Sequence, residues 1–162
     1  MQPRIKGKPS KLTVLLSILK QLKAEEPKAK IVVVSNFTQT LNLIGDLCDS
    51  IGYSTLRLDG QTPVQQRQSI VKKFNSSHDT TFVFLLSSKA GGVGLNLIGA
   101  SRIVLFDADW NPANDLQATA RVWRDGQRTT CHVYRLFTTG TIEEKILQRQ
   151  IKKQEKRRQT FL

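Results

Sequence analysis

Five short apolar segments along the chain have the length and composition of β-strands, being rich in β-branched or aromatic residues. They are Ile31–Ser35, Thr55–Leu58, Phe82–Ser87, Arg102–Phe106 and His132–Phe137. Several carry apolar residues at successive positions, which is typical of strands buried on both faces of a sheet. Helices are therefore expected on both sides of them.

The segments between the predicted strands repeat their apolar residues with the period of a helix. The two clearest stripes are Leu12, Leu15, Leu16, Leu19 and Leu22, and Leu41, Ile44, Leu47, Cys48 and Ile51. Strands alternating with helices predict an α/β fold with a largely parallel sheet and helices on both faces. In such sheets ligands bind at the carboxyl ends of the strands.

Helix starts are marked by residues that can accept hydrogen bonds from the free N–H groups of a first turn. Ser10 is predicted as one N-cap, and Asn111, which precedes a proline, as another. Thr62-Pro63 with Gln65 has the form of a capping box, so we predict a third helix that begins at Pro63.

The pattern changes at Thr141, which forms a second predicted capping box with Glu144. An apolar stripe and then the charged run Lys152–Arg158 follow, the stripe consisting of Ile142, Ile146, Leu147 and Ile151. We therefore predict two parts. Residues 1–140 form one lobe, and residues 141–162 form a terminal helix with a basic tail that either projects or frays.

The charge of the chain is high for its size. Its 162 residues include 25 Lys and Arg against 13 Asp and Glu, a formal net charge of +12. Such an excess favours a polyanionic partner, with nucleic acid as the first expectation and an acidic membrane as the second. No apolar run approaches the roughly 18 to 20 residues of a membrane span, so we expect a protein of the cytosolic or nuclear side.

The cysteines and histidines give no sign of a disulfide framework or a metal site. Cys48 and Cys131 each stand alone in an apolar stretch, which predicts two buried thiols in a reducing compartment. Neither His78 nor His132 has a second ligand at the spacing that zinc sites use. We predict a loop position for His78, exposed to solvent, and a strand position for His132.

The segment QATARVWRDGQ contains Arg121 and Arg124 three residues apart. We predict that the helix opened by Pro112 continues through them, so that both side chains share one face. A guanidinium group matches the oxygens of a phosphate, and an arginine supplied to a transferring γ-phosphoryl group accelerates the reaction by about 10³ to 10⁵. The spacing alone favours a solvated helix face, so it does not by itself establish a phosphate-binding site.

The segment LLSSKAGGVGLNL combines a strand end with small residues, a lysine and glycines. Backbone can approach a phosphate closely at such glycines. A dinucleotide-binding fingerprint is disfavoured because Leu97 stands where its third glycine belongs. The phosphate-binding sequence G-x-x-x-x-G-K-[ST] does not occur in the 162 residues, so we expect the phosphate cradle and a Mg²⁺ site to come from elsewhere.

Trp110 follows Asp109 at the exit of the fourth predicted strand, just before the Asn111-Pro112 helix start. A partly exposed aromatic ring at this place can stack on a nucleic-acid strand or wedge against it. It can equally form a lid over the sheet edge, which is the commoner place of a single tryptophan. The sequence leaves both interpretations open.

Four segments together resemble the C-terminal lobe of the Swi/Snf-type superfamily-two helicase-like ATPases. They cover nearly the whole chain in the family's order and are SNFTQTLNLI, LRLDGQTPVQQRQSIVKKFN, LLSSKAGGVGLNLIGASRIVLFDADWNPANDLQATARVWRDGQ and YRLFTTGTIEEKI. Trp123 stands in WRDGQ where most branches have histidine. This tryptophan and the ending TGTIEEKI resemble the Rad fifty-four branch of recombination translocases.

The resemblance implies a RecA-like parallel-sheet sandwich, a helicase C-terminal lobe of the P-loop NTPase type without its own P-loop, followed by a brace helix from Thr141. It implies that this lobe closes on an N-terminal RecA-like lobe of the same protein. ATP with Mg²⁺ would lie in the cleft between the lobes, with the Mg²⁺ held by the N-terminal lobe. Isolated, the C-terminal lobe is expected to hydrolyse ATP poorly.

Residue roles follow from the resemblance position by position. Arg121 and Arg124 take the arginine-finger role, Gln117 faces the nucleotide, and Gly92 and Gly94 belong to the loop that couples nucleotide to DNA. Contacts to the DNA backbone position a protein without specifying sequence. The resemblance implies such contacts for Ser35, Asn36, Arg57, Ser88, Lys89 and the DWNP aromatic Trp110.

The implied function is that of a nuclear double-stranded-DNA-dependent ATPase. It would translocate on duplex DNA and remodel protein–DNA complexes in homologous recombination and repair, with a recombinase filament as a partner. Two alternatives, a nucleosome-remodelling ATPase and an RNA helicase, would use the same ATP-driven motor on a different substrate, namely nucleosomes or RNA. A basic DNA-binding or docking module would keep the shape without the catalysis.

Overall fold

A computed structural model describes residues 10–90 and 95–160 of the chain. Its centre is a sheet of strands β1 (Ile31–Ser35), β2 (Thr55–Leu58), β3 (Val83–Ser87), β4 (Arg102–Leu105) and β5 (His132–Arg135). The strand order is β2-β3-β1-β4-β5, and every pairing in this sheet is parallel. The predicted strands are confirmed, three of them ending or beginning one or two residues inside the expected bounds.

Helices and strands alternate along the described part except between β3 and β4, where the described residues contain no helix and the predicted alternation is wrong. The helices are α1 (Lys11–Glu25), α2 (Thr38–Ser50), α3 (Val64–Asn75), α4 (Pro112–Thr119) and α5 (Ile142–Thr160). Successive side chains of a strand point to opposite faces, so β1 contributes Val32 and Val34 to one core and Ile31 and Val33 to the other. α3 and α4 pack on the first core, and α1 and α2 on the second.

The two central strands β1 and β3 are buried at every position. Phe74 of α3 and Phe84 of β3 meet in the first core with ring centroids 4.8 Å apart. Burying a side chain of this size contributes roughly 1.5 to 3 kcal/mol, so the two cores supply the main driving force for this fold. The predicted α/β fold with helices on both sheet faces is confirmed.

Two predicted helix caps are confirmed. Ser10 Oγ accepts a hydrogen bond from Thr13 N at 3.2 Å and caps α1. Asn111 Oδ1 accepts from Ala113 N at 3.1 Å, and Pro112 opens α4 directly after it. Each cap satisfies an N–H group that the first helical turn leaves without an intrahelical partner.

The predicted capping box at Thr62 is wrong. α3 begins at Val64, Pro63 lies at its N-cap position, and no side chain caps it. The Thr62 hydroxyl accepts from Asp59 N at 3.0 Å instead, within the turn that follows β2. The sequence pattern is correct for a capping box, but the hydroxyl bonds to the backbone that precedes it.

The cysteines lie in different environments, which corrects one of the two predictions. Cys48 is buried, and burial together with the nearby Asp49 carboxylate raises the pKa of its thiol to about 11. Cys131 is only partly buried, on the short segment that leads into β5. His78 lies exposed in a loop, and His132 lies exposed on β5, the positions predicted for them.

α5 starts at the predicted place and packs through part of its apolar stripe. The Thr141 hydroxyl accepts from Glu143 N at 3.3 Å, while the Glu144 carboxylate accepts from Gly140 N at 2.8 Å. Lys11 of α1 forms an ion pair with Glu143 and donates to a backbone carbonyl after β4, so the first turn of α5 is tied to the lobe. Ile146 is buried, whereas Ile142 and Ile151 are exposed.

Gly99 lies where the loop before β4 passes the end of α3. A Cβ atom there would come within 2.9 Å of Asn75 Cα and of Phe74 O, backbone atoms that cannot move aside without moving the helix end. We therefore expect Gly99→Ala to destabilise the fold by about 1 to 3 kcal/mol, the usual cost of overpacking. Gly60→Ala is the matched control, because no atom lies within 4 Å of a Cβ built there. Thermal unfolding should show the lower midpoint for Gly99→Ala alone, and equal midpoints would contradict the close approach.

Candidate functional site

The sheet topology opens a crevice between the carboxyl ends of β1 and β4. The chain leaves β1 toward the β2 edge of the sheet and leaves β4 toward β5, so the two connections diverge. A cleft of about 450 Å³ lies at this place. Residues predicted for DNA and residues predicted for the nucleotide line it together, namely Asn36, Ser88, Lys89, Trp110, Gln117 and Arg121.

A hydrogen-bond network ties three strand ends together beneath the cleft. The Ser35 hydroxyl donates to the Asp107 carboxylate, and Asp107 Oδ2 also accepts from Asn36 N at 3.1 Å. From the end of β3, Ser88 Oγ donates to Asn36 Oδ1 at 2.5 Å, and Ser88 N donates to Ser35 O at 3.1 Å. Ser35 is buried, so the structure places it as a support for Asn36 and not on the cleft surface.

Arg57 lies on the same edge of the sheet but does not line the cleft. Its Nε donates to Asp59 Oδ2 at 2.7 Å, and its Nη1 donates to Asn42 Oδ1 at 2.7 Å. Burial alone would raise the pKa of Asp59, but the hydrogen bonds from Arg57 and from Gln61 N lower it below its usual value. Two of the donors of Arg57 are therefore held by the protein, and its side chain remains 32% exposed.

Trp110 lies in a loop that Asp109 holds in shape. The Asp109 carboxylate accepts from Asn111 N at 2.8 Å and from Asn114 Nδ2 at 3.0 Å. The Trp110 residue is 57% exposed, and the Arg149 guanidinium carbon lies 5.9 Å from the centroid of its ring. A ring exposed to this extent at a cleft favours the stacking interpretation over a lid on the sheet edge.

The prediction that Arg121 and Arg124 share a helix face is wrong. α4 ends at Thr119, and the chain continues in tight turns, with Arg121 N bonded to Ala118 O at 3.2 Å and Trp123 N bonded to Thr119 O at 3.0 Å. The two arginines consequently lie in different environments. Arg121 is 8% exposed at the cleft, whereas Arg124 is exposed on the turn.

Arg121 is a fixed cation at the cleft. Burial lowers the pKa of its guanidinium below the ordinary value, yet an arginine remains protonated at neutral pH. Its backbone is held as well, because Leu97 N donates to Arg121 O at 2.8 Å. Gln127 closes the following turns, its Nε2 donating to Ala100 O at 2.8 Å and to Val122 O at 3.2 Å. These turns, and not the predicted helix, therefore position Arg121 at the cleft.

The other residues predicted for the site lie on different elements of the fold. Gln117 lies on α4 with its side chain exposed at the cleft, and Lys89 is exposed after β3. Gly92 and Gly94 lie outside the described residues. Asp107 was not predicted as a site residue, although it lies just beyond the carboxyl end of β4, where parallel sheets place such residues.

Residues 10–90 and 95–160 contain neither a metal-ligating cluster nor a membrane-spanning helix. No three side chains of His, Cys, Asp or Glu lie together there as a metal site requires. No helix in that part of the chain has the length and apolar character to cross a bilayer.

The fold and the cleft define a helicase C-terminal lobe. Residues 10–126 match the helicase conserved C-terminal domain, and the chain belongs to that family. A solved structure, the crystal structure of the C-terminal part of the Fun30 ATPase domain, superposes with a TM-score of 0.80 at 38% sequence identity. The superposition covers 85% of this chain and 44% of that one, and it confirms the RecA-like fold.

The relatives specify the branch. DNA repair and recombination protein RAD54B of Homo sapiens is 61% identical over 148 residues, which cover 91% of this chain and 16% of that protein. DNA repair protein rhp54 of Schizosaccharomyces pombe is 59% identical over 144 residues, covering 89% and 17%. DNA repair and recombination protein RAD54-like of Gallus gallus is 54% identical over 153 residues, covering 94% and 20%. The chain thus spans a fifth or less of these relatives, and the predicted resemblance is confirmed.

Asp107 should control the stability of the strand ends at the cleft. Asp107→Ala removes the acceptor of both the Ser35 hydroxyl and Asn36 N, which lie below the surface, and we expect a loss of about 1 to 3 kcal/mol in the free energy of unfolding. Asp125→Ala, a change of the same type at an exposed turn position, should stay within about 0.5 kcal/mol of the parent. Denaturant unfolding measures both, and similar midpoints for the two variants would show that the network contributes little.

Proposed function

We propose that this chain is the second motor lobe of a nuclear ATPase that is stimulated by double-stranded DNA and translocates along it in homologous recombination and repair. The observation that carries the proposal is the cleft, where the buried cation Arg121 and the exposed Lys89 and Trp110 lie at the switch point of a parallel sheet. The relatives, which are DNA repair and recombination proteins by name, supply the process.

The reaction requires stabilisation of phosphoryl charge. Water attacks the γ-phosphorus of ATP while the bond to the β–γ bridging oxygen breaks, which gives ADP and phosphate, and negative charge is carried by the phosphoryl and leaving oxygens. The Arg121 guanidinium is already buried, so little water has to leave it when a phosphate approaches. Arg124 is proposed to reach the phosphates from its exposed turn when the N-terminal lobe closes.

The other nucleotide contacts in the proposal make this lobe half of a site. Gln117, exposed at the cleft, is proposed to face the nucleotide, and Gly92 and Gly94 are proposed to couple nucleotide to DNA. The phosphate cradle and the Mg²⁺ ligands are assigned to the N-terminal lobe, because this sequence has no P-loop and its described side chains form no trio of ligands. We therefore expect the isolated chain to hydrolyse ATP poorly.

The DNA track is proposed to run along the carboxyl edge of the sheet. Asn36, Ser88 and Lys89 present amide, hydroxyl and ammonium groups suited to phosphate oxygens, with Ser35 supporting Asn36 from below. Arg57, at the end of β2, extends the same edge. The Trp110 ring is proposed to contact the strand by stacking. A net charge of +12 strengthens any such contact and makes it dependent on salt.

The proposed track and partners separate this function from its alternatives. A recombination translocase, for which a recombinase filament is the proposed partner, should respond to naked duplex DNA. A nucleosome-remodelling ATPase should respond more strongly to nucleosomes, and an RNA helicase to RNA. A passive basic module, which the charge of +12 also fits, should bind DNA identically with and without nucleotide. ATP turnover of the protein that carries both lobes, measured with each polymer at matched salt, distinguishes them.

Arg124 should be essential for DNA-stimulated turnover. In the protein that carries both lobes, Arg124→Ala should lower DNA-stimulated ATP hydrolysis at least about a hundredfold, because the charge on the transferring phosphoryl group loses a bidentate cation. Arg128→Ala, which removes an exposed arginine four residues further on, is the control and should hydrolyse ATP normally. Near-normal turnover of Arg124→Ala would refute its role as a finger.

Trp110 should act on DNA coupling and not on folding. Trp110→Ala should lower the stimulation of ATP hydrolysis by duplex DNA about five- to a hundredfold, the range expected for losing one stacked base of roughly 1 to 3 kcal/mol. Trp110→Phe, which keeps an aromatic ring, should restore most of the stimulation. Melting curves of both variants should match the parent, and unchanged stimulation with alanine would instead favour the lid interpretation.

A further inference from the structure

The buried face of α5 contains a polar residue where its stripe would place an apolar one. Among the described side chains of α5 only Ile146 and Gln150 are buried, at 4% and 2% exposure, and they lie four residues apart on one face. The neighbours Gln148, Arg149 and Ile151 are exposed. The amide of Gln150 is therefore the deepest polar contact that this helix makes with the lobe.

The Gln150 amide joins two parts of the cleft wall. Its Nε2 donates to Asp109 O at 2.6 Å and to Asp115 Oδ2 at 3.1 Å. Asp109 immediately precedes Trp110, and Asp115 lies on α4 two residues before Gln117. One nitrogen atom thus links α5 to the loop that carries the exposed tryptophan and to the helix that carries a cleft-lining glutamine.

The residue before Gln150 contacts the same loop from outside. The Arg149 guanidinium carbon lies 5.9 Å from the centroid of the Trp110 ring, close enough for a cation–π attraction. Two consecutive residues of α5 therefore hold the loop, one through the backbone before Trp110 and one through its ring. A shift of α5 along its axis would change both contacts together.

Stability alone does not account for this pair of polar groups. Within the described residues, Gln150 Oε1 is buried without a hydrogen-bond partner, which carries a desolvation cost. Burial also raises the pKa of Asp115, and the Gln150 hydrogen bond offsets only part of that effect. A well-packed apolar pair is often as stable as a buried polar pair or more so, but it lacks directional bonds.

We propose that Gln150 is a positioning residue that holds the Trp110 loop and α4 in the orientation needed for DNA contact, so that α5 sets the coupling between DNA and the cleft. This inference rests on the proposed motor function, because Trp110 is the DNA-contacting group that it orients. Gln150 itself contacts neither DNA nor nucleotide. It acts through Asp109 O and Asp115 Oδ2.

The test uses Gln150→Met, which keeps the length and packing of the side chain and removes its hydrogen bonds. Gln148→Met, the same change at an exposed position of α5, is the matched control. In the protein that carries both lobes, Gln150→Met should raise the duplex-DNA concentration for half-maximal ATPase stimulation about fivefold, the factor expected for one lost hydrogen bond. Gln148→Met should match the parent.

A second measurement follows Trp110 directly and does not need activity. The 162-residue chain has two tryptophans, so Trp123→Phe is introduced into every variant and leaves Trp110 as the sole tryptophan. The time-resolved anisotropy of its fluorescence then reports the motion of the Trp110 ring. Gln150→Met should increase that motion, and Gln148→Met should leave it unchanged. A Gln150→Met variant with parental anisotropy or with a parental DNA requirement overturns the inference.

The two proposals fail in different ways. If the parent protein shows no stimulation by duplex DNA, the motor function is refuted, and the anisotropy of Trp110 alone then decides whether Gln150 positions the loop. If the parent is stimulated and Gln150→Met resembles Gln148→Met, the motor function stands and the role of Gln150 is refuted.

Discussion

The burial of β1 and β3 on both faces is the constraint on which the rest of the molecule depends. Every residue of these strands is buried, their apolar side chains divide between the two cores, and each strand is hydrogen-bonded on both edges to parallel neighbours. Charged or catalytic groups have no place along such strands, because an unpaired charge there would lose its hydration. Polar chemistry is therefore confined to the strand ends, and the diverging connections from β1 and β4 make one end a crevice.

The two arginines Arg121 and Arg124 differ in burial and therefore in how freely their side chains can move. Arg121 is 8% exposed and its carbonyl accepts from Leu97 N, so burial and the main-chain bond restrict this residue before any ligand arrives. Arg124, exposed on a turn, has conformational freedom to lose on binding, and a second lobe would have to supply the order. In the proposed function, Arg121 is therefore preorganised for its ligand, whereas Arg124 becomes ordered only on binding.

The sequence predicted the sheet, most helices and six of the cleft residues, and its failures have physical reasons. Runs such as residues 31–34 are diagnostic because burial on both faces demands apolar residues at successive positions. Spacing three residues apart says nothing about whether a helix continues, so the turn after Thr119 was not predictable from Arg121 and Arg124. The buried position of Gln150 was not predicted, because periodicity identifies a buried helix face from its apolar residues and ignores a polar residue on that face.

The hydrogen bond from Leu97 N to Arg121 O joins two main-chain atoms. Any substitution at either position, other than proline at 97, preserves both the donor and the acceptor. A scan of side-chain replacements through this lobe would therefore pass over the link between the segment after β3 and the arginine at the cleft. Apart from proline at 97, only a change in the backbone itself, such as an ester in place of the amide at Leu97, removes the donor, so this connection is robust to mutation in a way that the side-chain contacts around it are not.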